Sequence, residues 1–165
     1  MKSRAVGLNP TVDYQENIMS EIKFYSTHGH YGCFSNFSKH PIKLKGHIWP
    51  TTEHYFQAQK FAGTKYESQI RQAKGPGQAA KQGRDKKKPL RRDWESVKEQ
   101  VMYDAIKAKF TQHKDAQAIL LSTGEDTIIE DSPIDYYWGC GAKGTGKNRL
   151  GILLMRLRKE LRGKD

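Results

Sequence analysis

Ile48-Trp49-Pro50-Thr51-Thr52-Glu53-His54-Tyr55-Phe56-Gln57-Ala58-Gln59-Lys60-Phe61-Ala62-Gly63 holds the change from strand to helix on which the fold turns. Ile48-Trp49 reads as the end of a strand, and Pro50 ends the pairing because it has no amide proton to donate. Thr51 or Thr52 then caps a helix running to about Ala62, with Gly63 as its stop. Upstream, Ile42-Lys43-Leu44-Lys45 alternates, and Gly46-His47 is the turn candidate that brings the chain back into Ile48-Trp49. Ile22-Lys23-Phe24-Tyr25 alternates in the same way, and residues 27–32 form a loop rich in Gly and His. Downstream, helices are predicted over Lys65–Lys74 and Gly77–Gly83, followed by a basic loop from Lys86 to Arg92. Asp93 is expected to cap the strongest helix, with Trp94, Val97, Val101, Met102, Ala105, Ile106 and Phe110 at three- and four-residue spacing. A helix over Asp115–Ser122, a strand over Thr127–Glu130 and a last helix over about Asn148–Leu161 complete the pattern. This is an α+β chain, helix-rich, a single domain with a small sheet of short strands. Residues 1–20 show no period and read as a flexible N-terminal tail; 21–165 form the domain.

With 36% hydrophobic and 10% aromatic residues in 165, the composition is globular and sufficient for a sizeable core. Two basic groups near the start are followed by no apolar run, and the longest aliphatic stretch, Ile152-Leu153-Leu154-Met155, is too short to cross a membrane. Cys33 and Cys140 are too few for a disulfide scaffold, so a cytoplasmic location is expected. The net charge of +11 is uneven: residues 60–114 carry +9, residues 143–165 carry +6, and residues 115–142 carry six acidic groups and no basic one. Carboxylates set between basic segments suggest a field that draws anions, although a solvated basic surface has the same composition.

Three motifs compete for attention. Gly141-Ala142-Lys143-Gly144-Thr145-Gly146-Lys147 matches the first seven positions of a P-loop, but Asn148 stands where a hydroxyl should hold magnesium, and no parallel strand precedes it. A weaker reading survives, in which three glycines ahead of a helix expose amides to a phosphate. His28, His30 and Cys33, with Cys140 at a distance, follow no zinc spacing and read as a polar loop, so no metal is expected. Lys86-Lys87-Lys88 with Arg91-Arg92 is basic enough to touch nucleic acid but comes with no reader motif.

The chemistry-bearing segments combine aromatics with polar groups. They are Phe24-Tyr25 with Phe34-Ser35-Asn36-Phe37; Trp49 to Phe61; and Asp135-Tyr136-Tyr137-Trp138-Gly139 with Gly144, Gly146, Lys147-Asn148-Arg149 and Leu150-Gly151. Read from position, Glu53 is either a catalytic carboxylate or a charge that favours its helix N-terminus. Asp135 is either a second carboxylate or the cap of an aromatic-glycine turn. Glu130 and Asp131 read as surface or strand-end charges. Trp94 and Trp138 either stack on a flat base or pack the core. Asn36 either meets a ribose hydroxyl or base edge, or is a turn residue. Arg84, Arg91 and Arg149 are phosphate candidates, since a guanidinium fork matches phosphate oxygens.

These blocks, with Gly83-Arg84-Asp85, Lys88-Pro89-Leu90-Arg91 and Trp94 to Met102, resemble the NADAR superfamily, named for NAD and ADP-ribose. The likeness spans roughly residues 22–162 and is nearest to the bacterial N-glycosidases of riboflavin-pathway intermediates, once described as swarming-motility proteins. The resemblance implies an α+β fold, a phosphorylated ribosyl substrate, and N-glycosidic cleavage with neither metal nor cofactor. It places a functional carboxylate at Glu53, with Asp135 as its partner. The substrate-binding residues it suggests are Asn36, Arg84, Arg91, Trp94, Trp138, Gly139, Asn148 and Arg149. Cleavage of an N-glycoside passes through an oxocarbenium-like state, which a carboxylate beside the sugar stabilises while a second group moves a proton. The expected function is hydrolysis of phosphoribosylamino-pyrimidines. The alternatives are removal of ADP-ribose from a nucleobase, the one reading that involves nucleic acid, and a non-catalytic module for ADP-ribose or NAD. No protein partner and no membrane are implied.

Overall fold

The computed structural model describes residues 19–163. The tail expected over residues 1–20 lies outside them up to residue 18. Strand β1 (Glu21–Phe24) pairs in parallel with β4 (Thr127–Glu130), in the register Ile22↔Ile128 and Phe24↔Glu130. Strands β2 (Ile42–Leu44) and β3 (His47–Trp49) form a separate antiparallel hairpin. The class is α+β and helix-rich as expected, with its strands divided into two pairs. The hairpin turn is Lys45-Gly46 rather than Gly46-His47. Both residues have positive φ, 51° and 77°, the geometry that matches the twist of the flanking strands.

Six helices surround these ladders: α1 (Thr52–Gln59), α2 (Lys65–Arg71), α3 (Pro76–Gly83), α4 (Trp94–Gln112), α5 (Lys114–Ser122) and α6 (Arg149–Arg162). Thr51 is the cap of α1: its hydroxyl accepts from the His54 amide at 3.2 Å. Helix α1 ends three residues earlier than expected, and Gly63 turns the chain at φ 79°. Asp93 does not cap α4 with its side chain; Arg91 takes both of its carboxylate oxygens instead. Helix α4 is the spine. Its buried Met102, Ala105, Ile106 and Phe110 join Trp49, Tyr55, Phe34, Leu150, Leu154 and Leu157 in one core. Met102, Ile106 and Phe110, once buried, each contribute roughly 1.5–3 kcal/mol, so α4 anchors the elements on both sides of it.

Helix α1 is buried along its whole length. It approaches α3 at Gly83, where any Cβ would fall 2.0 Å from Gln57 Oε1. Glycine is required there by contact, not by backbone conformation. Among the described residues, no helix is long and apolar enough to cross a membrane.

Candidate active site

The start of α1, the end of β4 and the turn after it converge on a cavity of about 700 Å³. That is the size of a small-molecule site. Its walls include Asn36, Glu53, Arg84, Trp94, Asp135 and Trp138, six of the ten residues singled out from sequence.

Glu53 sits in the first turn of α1, only 7% exposed, with its amide donating to the Asn36 carbonyl at 3.1 Å. Gln57, one turn on, donates Nε2 to Glu53 Oε1 at 2.8 Å. Burial raises the Glu53 carboxyl above the usual carboxylate range; the Gln57 hydrogen bond and the nearby Lys60 and Arg84 charges oppose that rise, and Asp135 adds to it. Asp135 caps its turn and also lines the cavity. Its Oδ1 caps the turn by accepting from the amides of Tyr137 (2.9 Å) and Trp138 (2.7 Å), while Oδ2 has no hydrogen-bond partner among the described residues.

Glu130, read from sequence as a surface or strand-end charge, is a third carboxylate of the cavity wall. Its Oε2 is buried without a hydrogen-bond partner, and burial, with Asp135 and Glu53 beside it, pushes its carboxyl up to about 7. No local signal separates it from an ordinary strand-end acid; it enters the cavity because β4 pairs with β1. The backbone around it is fastened on both edges. The Asp131 amide donates to the Phe24 carbonyl at 2.8 Å, and the Cys140 amide donates to the Glu130 carbonyl at 2.9 Å.

The aromatic wall is a chain of rings. Phe56 lies 5.1 Å from Trp94 and 5.4 Å, edge-on, from Trp138, which meets Tyr137 at 4.9 Å. Lys60, half-buried, holds its ammonium 5.8 Å from the centres of both Phe56 and Trp94 and donates to the Gly83 carbonyl at 3.4 Å. Lys98 lies 4.0 Å from the centre of Tyr137. Lys60, Lys98 and Arg84 thus supply cations to a cavity that holds three carboxylates, and only Arg84 was anticipated. Tyr25 and Phe37 are exposed members of the same wall. Asn36 is partly engaged: Oδ1 accepts from Thr52 Oγ1 at 3.0 Å and Nδ2 donates to Met102 Sδ at 3.4 Å, leaving one amide hydrogen for a ligand.

Four expected binding residues do not line the cavity, and each has a structural occupation instead. Arg91 is paired with Asp93 through Nε and Nη2. Arg149 is paired with both oxygens of Glu99, at 2.9 Å for Nη2. Gly139 packs so tightly that a Cβ would lie 2.9 Å from the Glu130 carbonyl oxygen and from Ser132 Cβ. Asn148, left-handed at φ 48°, acts as a side-chain strand beside β4: Oδ1 accepts from the Glu130 amide at 3.0 Å, and Nδ2 donates to the Ile128 carbonyl at 2.9 Å. The phosphate reading of the glycine loop meets the same obstacle. The amides of Gly144, Gly146, Lys147, Asn148, Arg149 and Leu150 all donate to backbone carbonyls, four of them within residues 136–139. The likeness to a P-loop is therefore a lacing of the aromatic turn onto the start of α6. In the loop of His28, His30 and Cys33, His28 bonds to Ser26 at 2.9 Å and Cys33 is buried.

N-glycosidase YbiA of Escherichia coli K12 is 56% identical over 140 residues, which cover 85% of this chain and 88% of that protein. Its NMR structure superposes with a TM-score of 0.82, covering 88% of this chain and 86% of that one. N-glycosidase Npun_R5314 of Nostoc punctiforme is 47% identical over 144 residues, 86% of this chain and 92% of that protein. The chloroplastic riboflavin biosynthesis protein PYRR of Zea mays is 43% identical over 172 aligned residues, covering 94% of this chain but only 27% of the longer plant protein. The NADAR domain matches residues 23–162, nearly the whole described fold, and the chain belongs to the NADAR family.

Proposed function

We propose that this protein is an N-glycosidase that hydrolyses phosphoribosylamino-pyrimidine intermediates of riboflavin biosynthesis, using Glu53, Glu130 and Asp135. The observation that carries the reading is three carboxylates lining one cavity together with aromatic rings and three cations. Its relatives include N-glycosidases and riboflavin biosynthesis proteins.

The reaction asks for one carboxylate that stays charged and one that holds a proton. Glu53 is assigned the charged role: burial raises its carboxyl, but the Gln57 hydrogen bond and the Lys60 and Arg84 charges oppose that rise. Glu130 has only carboxylates as charged influences and an unpartnered oxygen, so it takes the proton. In the forward step the bond from the ribose anomeric carbon to nitrogen breaks. Its electron pair leaves with the amino-pyrimidine, and Glu130 supplies the proton to that nitrogen. Glu53 faces the oxocarbenium-like carbon and stabilises its charge. Water adds to the carbon and passes a proton to the open Oδ2 of Asp135, which returns it to Glu130 through solvent. The products are the free amino-pyrimidine and ribose phosphate, with one water consumed.

Trp94, Phe56 and Trp138 suit the flat base, and Lys60, Lys98 and Arg84 suit the phosphate. Two free thiols accord with a cytoplasmic setting. The test is incubation with the phosphoribosylamino-pyrimidine and, in parallel, with ADP-ribosylated DNA, with mass detection of released base and sugar phosphate across a salt series. Release from the small substrate with a shallow salt response is expected. Faster cleavage of the DNA substrate, falling steeply as salt rises, would reject the small-molecule assignment.

A further inference from the structure

We propose that His40, His113 and Asp115 form a binding site for one zinc ion, remote from the cavity, that clamps the segment before β2 to the α4–α5 junction. His40 lies just ahead of β2, His113 joins α4 to α5, and Asp115 is in the first turn of α5. One donor atom from each lies within 4.8 Å of the others, and His40 Nε2 is 3.6 Å from Asp115 Oδ2. Zinc with nitrogen and oxygen ligands at about 2.0–2.2 Å in a tetrahedron separates its ligand atoms by roughly 3.4 Å. The Asp115 side chain is 74% exposed, so its carboxylate has room to move towards the two rings.

The ring nitrogens are already sorted for this task. His113 Nε2 lies 2.6 Å from the Pro41 carbonyl oxygen. A carbonyl only accepts, so Nε2 carries the hydrogen and Nδ1 keeps the lone pair. His40 Nδ1 lies 3.0 Å from Ser38 Oγ, whose own hydrogen is directed to the Cys33 carbonyl at 3.4 Å. With Nδ1 turned to Ser38, Nε2 faces the Asp115 carboxylate, a place that a proton fills in the ion pair and that a metal ion can take instead. Histidine ligands are commonly fixed by such a hydrogen bond from the other ring nitrogen. Two imidazoles and one carboxylate select zinc over magnesium or calcium, which prefer all-oxygen sites.

None of the three residues lines the cavity, so the ion is a fastener and not part of hydrolysis. Ser38, which orients His40, also accepts from Lys109 Nζ at 3.1 Å, and Lys109 holds the loop leading to Asn36.

Chelator-treated, full-length protein is titrated with zinc chloride against a chromophoric competitor, and melting is followed in parallel. One zinc per chain and a higher melting temperature are expected. Asp115→Asn and His40→Gln should weaken zinc binding at least about ten-fold and abolish the melting shift, whereas His47→Gln changes neither. Asp115 is exposed, so that variant folds even if a histidine variant does not. Equal zinc affinity in wild type and Asp115→Asn overturns the proposal, as does a wild-type melting curve that ignores zinc.

Discussion

Lys109 and Glu130 are both ionisable side chains withdrawn from water, and they differ in what they are left to do. Lys109 is fully buried and donates to the Cys33 carbonyl (2.7 Å), the Ser35 carbonyl (2.9 Å) and Ser38 Oγ (3.1 Å). Its three hydrogens have three acceptors. Glu130 keeps one buried oxygen with no hydrogen-bond partner among the described residues, and its charged neighbours are other carboxylates. The first arrangement spends a charge on holding a loop; the second leaves a proton site poised beside a cavity. That loop connects the two, because Ser35, Asn36 and Phe37 line the cavity while Lys109 grips the chain around them. Burial of an ionisable group by itself therefore does not separate a structural role from a catalytic one.

The largest effect should come from Glu53→Gln. The substitution keeps shape and the Gln57 contact but removes the anion, and turnover should fall by about 10³ or more with the melting temperature nearly unchanged. Single-turnover kinetics on the folded variant check this; retained turnover would move the cationic carbon to another carboxylate.

Lys109→Met strikes the opposite member of the comparison. Three buried acceptors lose their donor, and stability should drop by about 3–5 kcal/mol, measured by urea unfolding. Burial lowers the Lys109 ammonium to about 7, so its cost is fully present below pH 7 and fades as pH rises towards 10.5. The wild-type advantage over Lys109→Met should accordingly widen between pH 7 and pH 10. A loss of activity without a loss of stability would erase the distinction drawn above.

Glu130→Gln should lower turnover by about 10² and remove the alkaline limb of the activity profile near pH 7. Its effect on stability has the reverse sign. A carboxyl raised from its ordinary 4.5 to about 7 stabilises the fold below pH 4.5, and that contribution is lost as pH rises through 7. At pH 8 the glutamine variant should therefore be at least as stable as wild type, by melting. A variant that is less stable at pH 8 yet fully active would make Glu130 structural, like Lys109.

The smallest contrast lies among the arginines. Arg84→Gln should raise KM about ten-fold by removing a phosphate contact. Arg91→Gln should leave KM within about two-fold, because Arg91 is already committed to Asp93. Equal effects would mean that the Asp93 pair opens when substrate binds.

Much of this was legible along the chain. The strand-to-helix change at Pro50, the α4 periodicity, and the placing of Glu53 at a helix start all follow from spacing, amide availability and capping, which are local. Trp94, Trp138, Arg84 and Asp135, which line the cavity, stand in the aromatic and charged blocks that carry the family resemblance. Glu130 and Asn148 show where local reading stops. The same Thr-Ile-Ile-Glu strand ends in an exposed acid unless β1 pairs in parallel with it, and only the packed fold brings Phe24 and Glu130 into register. Asn148 looks like the broken last position of a phosphate loop, yet its side chain serves as a strand partner to β4. Propensity and capping depend on neighbours a few residues away, so sequence carries them. A proton site or a metal site depends on which distant groups share a low-dielectric space and which of their hydrogen bonds remain unmade, and tertiary packing alone decides that.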